Sequence, residues 1–182
     1  KPANMSSARL VSIVKKALQA GKVGHAGTLD PFAEGVLICC INRATRLAGF
    51  LVQGTKKYVA RLKLGQETDT LDQTGTVVAN AESVEYSHQT IQAAFESFKG
   101  VLQQMPPVYS ALKHRGVPLY KLARRGQPVQ KPPRRVQVYD IRIKNIELPY
   151  VCFEVSCSAG TYIRTLGADI GKKLGCGGHL VS

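Results

Sequence analysis

The sequence predicts an α+β fold, and two observations in the residues support that class. Strand patterns crowd the C-terminal half, where Val136-Gln137-Val138-Tyr139-Asp140-Ile141-Arg142-Ile143 and Val151-Cys152-Phe153-Glu154-Val155-Ser156-Cys157 are joined by a hairpin through Leu148-Pro149-Tyr150. Ahead of them, apolar residues fall at helical spacing in two stretches, and the strand pattern Lys56–Gly65 lies between those stretches. At 182 residues the chain can bury a sizeable core as one domain carrying an insertion.

In chain order, Lys1-Pro2-Ala3-Asn4-Met5 is a turn, with Asn4 tolerant of positive φ, and Ser6 or Ser7 caps the helix that follows. Leu10, Val11, Val14, Ala17 and Leu18 form its apolar stripe, and Gly21 suits the position just past its end. Gly24 and Gly27 permit positive φ, Asp30 before Pro31 favours a turn, and Val36-Leu37-Ile38-Cys39-Cys40-Ile41 reads as a buried strand. A short helix is expected over Arg43–Leu51. In Lys56–Gly65, Tyr58, Ala60, Leu62 and Leu64 alternate with Val59, Arg61 and Lys63, as in a strand with one buried face. Asp69 and Asp72 sit in a Gly/Thr-rich loop and read as turn residues rather than metal ligands, because no third carboxylate is spaced to join them. Ser87 caps a helix with Ile91, Ala94, Phe95 and Phe98 on one face, closed by Gly100. A last helix, with Ile163, Leu166, Ile170 and Leu174 on one face, is closed by Gly175.

Charge points to a polyanion. Lysine and arginine number 25 against 12 acids, a net +13, which suits a nucleic-acid partner. The charge is concentrated at 106–135, where Lys113, Arg115, Lys121, Arg124, Arg125, Lys131, Arg134 and Arg135 occur without a single Asp or Glu, among Pro106, Pro107, Pro118, Pro128, Pro132 and Pro133. Such a segment breaks regular structure and suits phosphate contact. No apolar run reaches 18 residues, so no transmembrane helix and no membrane association are expected. The five cysteines form no CxxC pair and read as reduced thiols of a cytoplasmic protein without a zinc site.

The most informative stretch is Gly24-His25-Ala26-Gly27-Thr28-Leu29-Asp30-Pro31-Phe32-Ala33-Glu34-Gly35-Val36-Leu37. Asp before Pro is most often a turn or capping residue. The whole string, however, closely resembles the catalytic motif of the TruB family of pseudouridine synthases, in which the Asp is the indispensable residue. Three further strings resemble the same family: Lys56-Lys57-Tyr58 through Leu64-Gly65 with Thr68-Asp69-Thr70-Leu71-Asp72-Gln73-Thr74-Gly75, Pro106-Pro107-Val108-Tyr109-Ser110-Ala111-Leu112-Lys113 onward, and Cys157-Ser158-Ala159-Gly160-Thr161-Tyr162-Ile163-Arg164-Thr165-Leu166.

The resemblance carries most of the fold prediction: a mixed, mostly antiparallel sheet with flanking helices over 1–182, and an RNA-binding insertion at about 106–135. It implies isomerisation of a uridine in the T-loop of tRNA, at position 55, to pseudouridine. Asp30 would be the nucleophile and Arg164 its partner. Tyr58, a core aromatic on composition alone, would stack on the flipped base. Tyr162 and Leu180 would line the pocket. His25 would fill the gap left by the base, although a turn role suits it nearly as well. Lys113, Arg124, Arg125 and Lys131 would grip the backbone of the T-arm stem-loop. No cofactor and no protein partner are implied, and the expected state is a monomer. Full-length bacterial members carry a further RNA-binding domain after the closing segment Cys176–Leu180, so the resemblance implies a catalytic domain without it. Two other classes stay open: a non-catalytic RNA-binding protein that keeps the scaffold, and a hydrolase using Asp30 with Glu34, for which no general acid can be identified.

Overall fold

The structure, a computed structural model, describes residues 1–182 and divides into two units, Lys1–Gly54 and Thr55–Ser182. No helix is long and apolar enough to cross a membrane.

The first unit opens with a turn in which Asn4 takes φ 60°, as its side chain permits. Ser6 caps α1 (Ser7–Ala17) by accepting from the Arg9 amide. The helix ends earlier than Gly21. Ala20 N–H reaches the Lys15 carbonyl and Gln19 N–H the Lys16 carbonyl, a Schellman ending in which Gln19, at φ 46°, holds the left-handed position usually given to glycine. The strand expected over 36–41 is also shorter. Only β2 (Cys39–Ile41) pairs, with β1 (Val23–His25), and Gly24 lies within β1 rather than at a positive φ. Val36 is 91% exposed. The strand register covers three residues of the run, the Ala26 amide adds one hydrogen bond to the Ile38 carbonyl, and Gly35, at φ 137°, turns the chain before the run begins. A 3-10 turn over Asn42–Leu47 leads into α2 (Ala48–Val52), in place of one helix from Arg43.

The second unit is built on a five-stranded sheet ordered β11-β3-β10-β9-β6, antiparallel at every pairing. The strands are β3 (Lys56–Leu64), β6 (Gly100–Gln104), β9 (Arg134–Glu147), β10 (Tyr150–Cys157) and β11 (Gly178–Leu180). β3 alternates as its sequence requires, with Ala60, Leu62 and Leu64 buried. β4 (Gln66–Thr68) and β5 (Val77–Asn80) form a separate ribbon. α3 (His88–Glu96), capped by Ser87, and α5 (Ile163–Leu174) pack side by side against the sheet, and Phe95 meets Phe153 edge to face at 5.2 Å. Gly100 does not close α3. It takes φ 109° as the first residue of β6, a strand with no strong sequence signature. The proline-rich segment is less irregular than expected. It forms a two-residue ribbon, β7 (Lys113–His114) with β8 (Val117–Pro118), and a short helix, α4 (Leu119–Ala123), that buries Leu119 and Ala123.

α5 ends in the same motif as α1, here with Gly175 at φ 84°. The Cys176 amide reaches the Gly171 carbonyl and the Gly175 amide the Lys172 carbonyl. A Cβ on Gly171 would lie 2.4 Å from the Gly177 carbonyl carbon and 2.5 Å from the Gly178 nitrogen, so the helix backbone rests directly on the start of β11. Helix propensity favours Ala over Gly by about 1 kcal/mol. Here the overlap is with backbone and must cost more, about 1–3 kcal/mol. Gly171→Ala is therefore expected to lower the midpoint of thermal unfolding by several degrees, whereas Gly54→Ala, with open space around it, should not.

Candidate active site

In the first unit the Asp30 loop is held by its charged neighbour. Lys1 Nζ donates to the carbonyls of Met5 (2.7 Å), Pro2 (2.9 Å) and Pro31 (3.1 Å), while Lys1 and Gly35 exchange backbone hydrogen bonds. Burial pulls the Lys1 ammonium below its ordinary pKa, and the charges of Asp30 and Glu34 work against that shift. Ser7 fastens the other side, its hydroxyl donating to the Leu29 carbonyl and accepting from the Leu29 amide at 3.0 Å each. A turn closes from the Asp30 carbonyl to the Ala33 amide, Phe32 is buried beneath it, and Asp30 itself is half-exposed. His25, on β1, donates through Nδ1 to the Gly27 carbonyl, so its ring is part of this turn.

In the second unit the geometry converges on Arg164, at the start of α5 and 4% exposed. Its guanidinium donates to the carbonyl of Thr70 at 2.6 Å and of Tyr109 at 2.9 Å, and lies 3.3 Å from Asp72 Oδ2. The other Asp72 oxygen accepts from Thr70 Oγ1 (2.9 Å), Thr74 N–H (2.9 Å) and Thr74 Oγ1 (2.5 Å). Asp72 is thus a turn residue, as its spacing suggests, and also the counter-charge of a buried arginine, which spacing does not reveal. Asp69 has the matching outer role. It accepts from the Thr76 amide and the Tyr109 hydroxyl, whose pKa burial and the Asp69 charge raise while Arg124 opposes them. Gly75 lets this loop close, since a Cβ there would fall 2.4 Å from Asp69 Oδ1.

Leu180 is buried, close enough to α5 that a Cβ on Gly167 would lie 3.0 Å from its side chain, and its backbone pairs with Leu71 and Gln73 on either side of Asp72. Tyr58 is half-exposed on the β3 face that carries Ala60 and Leu62. Tyr162 caps α5, and the buried Gln104 amide grips it on both sides, accepting from its N–H (2.8 Å) and donating to its carbonyl (3.0 Å). Gln104 is absent from the sequence-based site. A buried glutamine at the end of a strand is its only signal.

Of the basic residues, Lys113, Arg124 and Arg125 are exposed. Lys131 is half-buried and donates to His114 Nδ1 at 3.3 Å, and Arg124 lies 5.6 Å from the Tyr120 ring centre. Gln130 ties the far end of this segment to the Pro106 carbonyl. No cluster of three or more His, Cys, Asp or Glu that could hold a metal ion is present, and all five cysteines are free.

The buried pair supports a stability measurement. Removing one partner of a buried ion pair costs about 3–5 kcal/mol, because the other charge is stranded. Asp72→Ala should lower the free energy of unfolding by about 3 kcal/mol in urea titration. The same change in an Arg164→Met background should cost less by about 1–3 kcal/mol. Equal costs in both backgrounds would mean that the carboxylate is held by the threonines alone.

The family pattern described as TruB family pseudouridylate synthase (N terminal domain) matches residues 15–163. The chain is 50% identical over 184 residues to a tRNA pseudouridine synthase B of Geotalea uraniireducens, covering all of this chain and 58% of that protein. It is 47% identical over 182 residues to the protein of that name from Syntrophotalea carbinolica, covering 100% and 60%. The chain therefore spans about three fifths of the length of these curated relatives. Among solved structures, the crystal structure of a Cbf5–Nop10–Gar1 complex matches with TM-score 0.75 and 33% identity over 99% of this chain and 44% of that one. An H/ACA RNP bound to a substrate RNA containing 2'-deoxyuridine matches with TM-score 0.72 and 30% identity over 99% and 43%. By its sequence pattern and its fold, the chain belongs to the TruB family of pseudouridylate synthases.

Proposed function

We propose that this chain isomerises a uridine in the T-loop of tRNA, at position 55, to pseudouridine, with Asp30 as nucleophile. The observation that carries the reading is the anchored Asp30 loop, a half-exposed carboxylate on a turn fixed by Lys1 and Ser7, within a chain of this family. The target uridine leaves the RNA stack, at a cost of roughly a few kcal/mol. Tyr58 offsets part of that cost by stacking on the base, worth about 1–3 kcal/mol. Arg164 steadies the anionic carboxylate, and Tyr162, Leu180 and His25 shape the site around the base. Asp30 attacks the nucleoside, the bond between uracil N1 and C1′ of the ribose breaks, and the base rotates. C5 then bonds to C1′, the C5 proton leaves to solvent, N1 takes up a proton, and Asp30 is released unchanged. The step is an isomerisation, so nothing is oxidised or reduced.

Lys113, Arg124, Arg125 and Lys131 hold the backbone of the T-arm through charge. The proposal includes action as a monomer in the cytoplasm without a cofactor.

Asp30→Asn removes the anion and keeps the shape. Tritium release from a T-arm stem-loop labelled at uracil C5 is expected to fall by at least about a thousandfold, with the affinity for the stem-loop changed by less than about threefold. Retained release would overturn Asp30 as nucleophile. No release from the unaltered chain, with binding intact, would leave an RNA-binding protein that keeps the scaffold.

A further inference from the structure

We propose that Arg134 is a substrate-binding residue whose guanidinium takes a backbone phosphate beside the target uridine. This rests on the reading of the chain as an RNA-modifying enzyme. Arg134 begins β9 and sits opposite Gln104 in the register of β6 and β9. Gln104 is the residue that grips the Tyr162 backbone, so one strand pair sets both the arginine and the aromatic ring. The Arg134 Cζ lies 4.4 Å from the Tyr162 ring centroid. A Cβ on Gly160, at φ 81°, would be 3.4 Å from Cζ and from both terminal nitrogens, so the guanidinium lies flat against the Gly160 backbone. The cation is stacked by its faces, and its N–H edge is left for a ligand.

No protein group answers that edge. Arg134 makes no hydrogen bond and no ion pair through its side chain, and its Nε is buried without a partner. The residue is half-buried, and no Asp or Glu occurs anywhere in 106–135. Arg164, the fully buried arginine of the second unit, has by contrast two carbonyls and a carboxylate. The buried Nε without a hydrogen bond is costly, and the two terminal nitrogens, which face solvent, are open to an anion. The planar fork fits two oxygens of a phosphodiester. Stacking on Tyr162 places the charge beside a residue of the proposed base pocket, which is why the phosphate is one flanking the target nucleotide.

The test uses the 182-residue chain, Arg134→Met and Arg134→Lys, against a T-arm stem-loop and a set of the same stem-loops. Each member of the set carries one neutral methylphosphonate linkage near the target uridine. Arg134→Met should weaken binding about 10- to 100-fold and flatten the slope of log affinity against log salt by about 0.7–0.9. Arg134→Lys should recover the salt slope and only part of the affinity, because it keeps charge and loses the stacked fork. One neutral linkage should weaken the unaltered chain and leave Arg134→Met unaffected. Loss of affinity that is equal at every linkage, with the salt slope unchanged, would overturn the proposal and make Arg134 a pin for Tyr162. A salt-insensitive or undetectable complex with the unaltered chain would instead strike at the RNA reading itself, so the two failures are separate.

Discussion

The second unit depends on the burial of one charge. A guanidinium cannot shed its proton, and its donors point in fixed directions, so Arg164 dictates where acceptors must stand. The acceptors come from places far apart in the chain: Thr70 and Asp72 on the loop after β4, and Tyr109 at the root of the basic segment. Each brings more structure with it. Asp72 organises Thr70 and Thr74, the residues flanking it pair with the Leu180 backbone, and Tyr109 reaches Asp69 on the outer side of the loop. A buried ion pair is weak as a source of stability against an apolar substitute. Its value here is directional: the loop, β11 and the base of the insertion are referred to one fixed group.

The Asp30 loop is fixed by a different kind of cation. The Lys1 ammonium is a compact charge with three donors that can turn to meet three carbonyls. Pro2, Met5 and Pro31 supply them from both ends of the first unit's opening segment. Arginine serves where planes and angles must be held, and lysine where a loop has to be gathered. Neither charge is free for RNA. The net +13 therefore overstates what remains for a polyanion, and under the proposals above that part falls to the exposed cations of the basic segment and to Arg134.

Local signals were legible in the sequence. Ser6 and Ser87 announce their helices because a hydroxyl satisfies an orphan amide within three residues, and Gly175 announces the end of α5 because it accepts a left-handed φ without strain. The alternation of β3 has the same local origin. Misreadings arose where the deciding partner is remote or unusual. Val36–Ile38 is apolar enough for a buried strand, yet the strand register ends at His25 opposite Cys39, and past it a single backbone hydrogen bond, from the Ala26 amide to the Ile38 carbonyl, holds the run. Gln19 ends α1 in a conformation that sequence assigns to Gly or Asn. Gln104 and Tyr162 are 58 residues apart, and Arg164 and Thr70 are 94 apart, so no spacing rule connects them. The catalytic assignment of Asp30, Tyr58 and Arg164 came from motif resemblance, and residue chemistry alone would have left Asp30 as a turn residue and Tyr58 as a core aromatic.

The most direct measurement of the central claim is the nucleoside composition of RNA after a single turnover. A T-arm stem-loop is incubated with excess protein, digested to nucleosides and separated by chromatography with mass detection. The account predicts one uridine lost and one isomer of identical mass gained per RNA, with no free uracil. Free uracil with an abasic ribose would mean hydrolysis, and an unchanged digest from a fully bound RNA would mean that the anchored Asp30 performs no chemistry on it.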